Sequence, residues 1–111
     1  MLETTDHGAV RVLALDRQDR MNAFNGPLFD ALVDGLHAAR DDAAVRAVVI
    51  TGKGRAFTAG ADLTEMGQRT EYRVRHGFPG MIETLLDYPK PVAAAVHGVG
   101  VGGGGTIRGL V

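Results

Sequence analysis

Gly54-Arg55-Ala56-Phe57-Thr58-Ala59-Gly60-Ala61-Asp62-Leu63 is the stretch on which the reading of this chain turns. The run before it, Ala47-Val48-Val49-Ile50-Thr51, is apolar and β-branched and reads as a buried strand. Small residues at 59, 60 and 61 let the backbone approach whatever lies against it, because no bulky side chain intervenes. Asp62 followed by Glu65 has the spacing of an N-terminal capping box, so a short acidic helix is expected to start there. A strand that empties into small residues and then opens a helix leaves unpaired N–H groups pointing outward. Such a place suits an anion, or an oxygen that becomes one during a reaction.

Outward from that stretch the order is strand, helix, strand. Val10 to Leu15 reads as a strand preceded by the turn Asp6-His7-Gly8, and Asp16 to Arg20 as a charged loop. Asn25-Gly26-Pro27 starts a helix, with Pro27 where no N–H is needed. Leu28, Phe29, Leu32, Val33 and Leu36 recur at helical spacing, which predicts a helix from about Pro27 to Arg40, ended by Asp41 and Asp42. Val45 to Thr51 is continuously apolar and is expected to be a strand buried on both faces. This order argues for a crossover in an α/β layer. Thr64 to Gly80 reads as a solvated connection in which Gly77-Phe78-Pro79-Gly80 breaks any helix. Met81 to Tyr88 is a short amphipathic helix stopped by Pro89 and Pro91, and Val92 to Val96 is a strand of small residues. A glycine loop follows, and Thr106-Ile107-Arg108 would begin a further helix.

Composition bounds the function. A chain of 111 residues is one domain at most, and 45% hydrophobic residues fit a globular one. A net charge of −1 with both signs scattered gives no reason to expect nucleic acid or a membrane surface as partner. The chain has no cysteine, which excludes disulfides and cysteine catalysis. Met1 to Asp6 lacks the pattern of a signal peptide, and no run approaches the roughly 18 apolar residues of a spanning helix; a cytoplasmic location is expected. Of the 16 glycines, six fall between 98 and 105, so the excess marks one loop.

Three segments in register carry a family resemblance. Phe57 to Leu63 resembles the F-x-A-G-x-D-L signature of the crotonase superfamily, the enoyl-CoA hydratases and isomerases. Arg20-Met21-Asn22-Ala23-Phe24 is similar to that family's N-A-L/F motif, and Lys90 to Gly103 to its K-P-V-x-A-A-V-x-G-x-x-x-G-G segment. The resemblance covers about Val10 to Ile107. It implies the α/β crotonase (ClpP-like) fold, a superhelix of strand–strand–helix turns, with residues 1–111 as the N-terminal part of a truncated domain.

By that resemblance, Ala61 and Gly103 are the backbone N–H donors of an oxyanion hole that polarises an acyl-CoA thioester. Ala59, Gly60, Ala61, Asp62 and Leu63 would hold the adenine end of coenzyme A, and the Asn22-Ala23 loop its nucleotide side. Coenzyme A enters as part of the substrate, with no permanent cofactor and no metal. Self-association as a trimer or hexamer is implied in the same way. On the residues themselves, Asn22 also fits an ordinary turn, and Lys53 and Arg55 fit either phosphate contacts or a solvated pair.

An acid or base is the missing part. Hydratases of the family carry a glutamate three residues after the second oxyanion glycine; here Thr106 stands there. The family's other carboxylates would lie past Val111. Asp62 and Glu65 have a capping role, Glu83 reads as solvated, and His97 as packed. His7, His37 and His76 are isolated in sequence, without metal spacing. Two further readings stay open: a catalytically incomplete remnant, and a dinucleotide-binding module, since Gly98 to Gly103 satisfies G-x-G-x-x-G.

Overall fold

The computed structural model describes residues 1–58 and 75–96, together with the backbone of Val99–Gly100. Its elements in order are β1 (Leu2–His7), β2 (Val10–Leu15), α1 (Gly26–Asp41), β3 (Ala47–Gly52), β4 (Ala56–Thr58), α2 (Gly77–Leu86), β5 (Val92–Ala94) and β6 (Val99–Gly100). A single 3-10 turn, Gln18–Arg20, interrupts the loop between β2 and α1.

The main sheet has the order β1-β2-β3-β5. β1 and β2 form an antiparallel hairpin, and β2–β3 and β3–β5 are parallel. The hairpin needs a backbone that turns within Gly8-Ala9, and Gly8 meets this with φ +61°. β1 was not expected from the sequence. Its pattern, Leu-Glu-Thr-Thr-Asp-His, is polar, and all of it but Leu2 is exposed; pairing with β2 holds it as an edge strand.

Packing explains the rest of the layer. Leu28, Leu32, Val33, Leu36 and Ala39 of α1 are buried and pack on Leu13 and Leu15 of β2 and Val48 and Ile50 of β3. Phe24, Phe57, Met81 and Leu85 complete the same cluster. Fully burying an aliphatic side chain contributes about 1.5–3 kcal/mol, so this face dominates the fold. β3 corrects the expectation of burial on both faces: Val48, Ile50 and Gly52 are buried, while Ala47, Val49 and Thr51 are half-buried. The continuous apolar run therefore hides an ordinary alternation.

The helix boundaries follow their caps. Asn25 caps α1 by accepting from the Leu28 N–H (3.0 Å), with Pro27 in the first turn. At the other end Lys90 Nζ donates to the carbonyls of Ala39 (2.7 Å) and Asp42 (2.8 Å), and the Tyr88 hydroxyl donates to Leu36 O (2.7 Å). α2 begins at Gly77, so Gly77 to Gly80 opens the helix rather than breaking it. Pro79 falls in the first turn, where its missing N–H removes no helical bond. α2 ends at Leu86, two residues short of Tyr88, and β5 ends at Ala94 rather than Val96.

Candidate functional site

Ala56–Thr58 forms a strand of its own within the stretch from Gly54 to Leu63. It lies parallel to Val99–Gly100, with Ala56 opposite Val99 and Thr58 opposite Gly100, across a bulge. Both strands therefore run in one direction, and in the sequence Ala59-Gly60-Ala61 follows the first and the glycine-rich stretch the second. The approach to β4 is tight. A Cβ on Gly52 would lie 2.3 Å from the carbonyl oxygens of Ala56 and Phe57, so only glycine fits, and Gly54 turns with φ +82°.

The loop between β2 and α1 is fastened to this strand through Asn22. Met21 and Asn22 both adopt left-handed backbone, φ 52° and 56°, a conformation asparagine tolerates better than most residues. The Asn22 side chain is fully buried. Its Oδ1 accepts from the Arg17 N–H at 2.7 Å, and its Nδ2 donates to Lys53 O and to Ala56 O, each at 2.9 Å. Its N–H donates to Arg17 O (2.8 Å), and its carbonyl accepts from the buried Thr58 hydroxyl at 2.6 Å. Ala23 is buried beside it, its carbonyl accepting from Arg17 Nη1 (2.9 Å), and Phe24 stacks on Phe29 with ring centres 4.6 Å apart. The sequence pointed to Asn22 and Ala23; it gave no signal for Thr58 or Arg17 as their partners.

A second fastening joins α1 to the start of α2. Asp30 is buried on α1, and its carboxylate accepts from the N–H groups of Arg75 (3.0 Å), His76 (2.8 Å) and Gly77 (3.4 Å). A carboxylate placed against the first N–H groups of a helix serves as its cap, here from another element. One turn on, Asp34 pairs with Arg75 (2.6 Å) and with His76 Nε2 (3.2 Å). The Arg75 guanidinium, then the His76 ring, hold the Asp34 carboxyl below the usual carboxylate range. Residues 75–80 are thus anchored and partly helical, not a solvated connection; residues 64–74 lie outside the described residues. His37 and His76, isolated in sequence, meet edge to face at 5.7 Å beside a groove of about 310 Å³ that Thr84, Glu83 and Tyr88 also line. Among the described residues no group of three His, Cys, Asp or Glu side chains could hold a metal ion.

Lys53 is paired with Glu3 of β1 and lies 4.0 Å from Asp16, and the Glu3 carboxylate raises its pKa. Arg55 and Glu83 are exposed. Ala59, Gly60, Ala61, Asp62, Leu63 and Gly103 lie outside the described residues, as do Glu65, His97 and Thr106. Among the described residues no helix is long and apolar enough to cross a membrane.

Comparison with known proteins bears on the fold and the family. The family model for enoyl-CoA hydratase/isomerase matches residues 5–108. The crystal structure of an enoyl-CoA hydratase from Mycobacterium marinum superposes with a TM-score of 0.93 at 43% identity, covering 99% of this chain and 54% of that one. The 2,3-dehydroadipyl-CoA hydratase of Escherichia coli is 38% identical over 96 residues, 86% of this chain and 38% of its own. The 1,2-epoxyphenylacetyl-CoA isomerase of the same organism is 33% identical over 105 residues, 88% of this chain and 40% of its own. The chain spans about two-fifths of the length of the curated relatives it matches. With its mixed α/β layer and the small-residue stretch after β4 in the sequence, it has the crotonase fold and belongs to the enoyl-CoA hydratase/isomerase family.

Proposed function

We propose that this chain binds an acyl-CoA thioester and polarises its carbonyl with two backbone N–H groups, those of Ala61 and Gly103. The parallel pairing of β4 with β6 carries this reading. Thr58 and Gly100 are register partners, and Ala61 and Gly103 each follow their partner by three residues. Two segments that leave paired parallel strands in the same direction are a simple way to aim separate amides at one oxygen. An enolate oxygen gains charge as the reaction proceeds, and each such donor contributes about 3 kcal/mol to its stabilisation.

In this reading coenzyme A is part of the substrate. Its adenine end rests on backbone groups of Ala59, Gly60, Ala61, Asp62 and Leu63, and its nucleotide side faces the Asn22-Ala23 loop. The reaction class is hydration or double-bond movement in an enoyl thioester of fatty acid metabolism. Hydratases and an isomerase match this chain at similar identity, so the shared polarising step is the part assigned to it. Proton transfer is not assigned to residues 1–111, because threonine stands at position 106 and cannot act as a carboxylate would. A cytoplasmic setting and a trimeric or hexameric assembly belong to the same proposal.

The test is spectroscopic. A dialkylaminocinnamoyl-CoA absorbs at longer wavelength when its carbonyl is polarised, so the purified chain is expected to bind it with a red shift. NADH in the same titration should not bind. Binding without a shift, or binding of NADH in place of the thioester, would overturn the proposal. Turnover of crotonyl-CoA by this 111-residue chain would contradict the reading that residues 1–111 supply no proton-transfer group.

A further inference from the structure

We propose that Asn22 is a positioning residue: its side chain braces β4, and through β4 sets the aim of the polarising turns, without touching the coenzyme. The inference rests on the thioester reading given above and deepens it. The loop carrying Asn22 was expected at the nucleotide side, yet no polar atom of Asn22 is left to offer a ligand. A primary amide has two N–H donors and one carbonyl acceptor. Here both donors go to carbonyls on either side of the Gly54-Arg55 turn, Lys53 O and Ala56 O, and the acceptor goes to the Arg17 N–H. The main-chain N–H and carbonyl are engaged with Arg17 and Thr58. The residue is fully buried, so its contacts are all within the protein.

What these bonds hold is informative. Lys53 O and Ala56 O flank the turn from β3 into β4, and Thr58 is the last residue of β4. The brace therefore fixes both ends of a three-residue strand too short to fix itself, whose pairing among the described residues is with β6. A rotation of β4 would move Thr58 relative to Gly100 and change the launch direction of one turn against the other. Polarisation depends on both donors meeting one oxygen, so it should respond to that rotation more steeply than binding does.

Substitutions at Asn22 separate the roles. Asn22→Gly removes the amide while keeping the left-handed backbone free of strain. Asn22→Asp keeps the acceptor for Arg17 but turns a carboxylate on two carbonyls, and should be the most damaging. Thr58→Val removes the hydroxyl bond to Asn22 O, and Thr58→Ser restores it. Leu85→Ala, a core truncation on α2, serves as the destabilised control.

The experiment reads two quantities in each variant: the red shift of saturating dialkylaminocinnamoyl-CoA, and amide hydrogen exchange along the chain. In Asn22→Gly and Thr58→Val the shift per bound ligand should fall by half or more, with free coenzyme A affinity changed by less than about threefold. Exchange at Ala56 to Thr58 should accelerate about tenfold or more, with β2 and β3 less affected. Thr58→Ser and Leu85→Ala should keep the wild-type shift. An undiminished shift in Asn22→Gly, or a loss of coenzyme A affinity with the shift intact, overturns the positioning role. If wild-type protein binds the probe with no shift, the thioester reading fails by itself. Exchange at β4 then still decides whether Asn22 is the brace, and unchanged exchange there would overturn it.

Discussion

Between the main sheet and α1 the buried side chains are aliphatic, whereas at the joins between elements they are Asn22, Asp30 and Thr58. The first region is held by area and shape. Leu13, Leu32, Leu36 and Ile50 could each be exchanged for a similar apolar residue at modest cost, because packing volume is what they supply. The second region is held by direction. Asn22 and Thr58 lock the β2–α1 loop to β4, and Asp30 locks α1 to the N-terminus of α2. Apolar contacts thus build the layer, and three buried polar side chains fasten the β2–α1 loop to β4 and the start of α2 to α1. Among the described residues, no buried side-chain polar atom lacks a partner, so each of these joins is fully satisfied.

The largest effect should come from the apolar region. Leu32→Ala, at a position with no exposure, should cost about 2–5 kcal/mol and lower the urea midpoint without changing the slope. A loss under about 1 kcal/mol would mean that the site collapses around the cavity and that the face is less tightly packed than drawn.

Next in size is Asp30. Asp30→Ala leaves three N–H groups at the start of α2 without their carboxylate and should cost about 2–3 kcal/mol. Asp30→Asn keeps one acceptor oxygen and should cost less. Unlike Leu32→Ala, the loss should be local: hydrogen exchange should quicken in Gly77 to Leu86 first. Uniform loss of protection across the sheet would erase the distinction between the two regions.

The ion pair one turn further along gives a pH-dependent effect. Arg75, then His76, lower the Asp34 pKa in the folded chain. A depressed carboxylate contributes stability that is present above the unfolded value of about 3.9 and is lost as pH falls through the folded value. Asp34 and Arg75 are each about half exposed, so water screens the pair and its contribution should stay below about 1 kcal/mol. Asp34→Asn should therefore be slightly less stable than wild type at pH 7, with the two converging below about pH 4. A constant gap down to pH 2 would point to packing rather than charge.

The same contrast explains what the sequence made legible. β2, α1 and β3 were readable because apolar spacing is a local signal: period in α1, β-branched residues in β3. The opening stretch was readable as a motif, but its strand β4 was not, because three residues carry no period. α2 was started too late, since its cap is supplied by Asp30 from 45 to 47 residues away rather than by its own sequence. β1 is polar and half of a hairpin, so its strand character depends on its partner. For the site, motif spacing named Asn22 and Ala23 and the residues from 59 to 63. It could not show that Asn22 bonds to partners 31 to 36 positions on, since that proximity exists only after β3 has crossed back beside β2.

The smallest effect should come from Lys53, where surface charge and ligand binding make competing demands. Its ammonium is paired with Glu3, and the two side chains are 38% and 52% exposed. Such an exposed pair adds little to stability, and salt screens it. Lys53→Gln and Glu3→Gln should each change the urea midpoint slightly at low salt and hardly at all in 0.5 M salt, on the order of a 4 Å screening length. Coenzyme A affinity sharpens the point. If Lys53 reached a phosphate, Lys53→Gln would weaken binding and Glu3→Gln, by freeing the ammonium, would strengthen it. Glu3 sits on β1 opposite Ala14, and the Lys53 N–H is tied to Leu15 O, so the side chain is held against the hairpin. Both variants should then bind coenzyme A within about twofold of wild type, near the floor of what a screened pair can change. Opposite shifts in the two would place Lys53 with the ligand and move the boundary between scaffold and site one residue closer to β3.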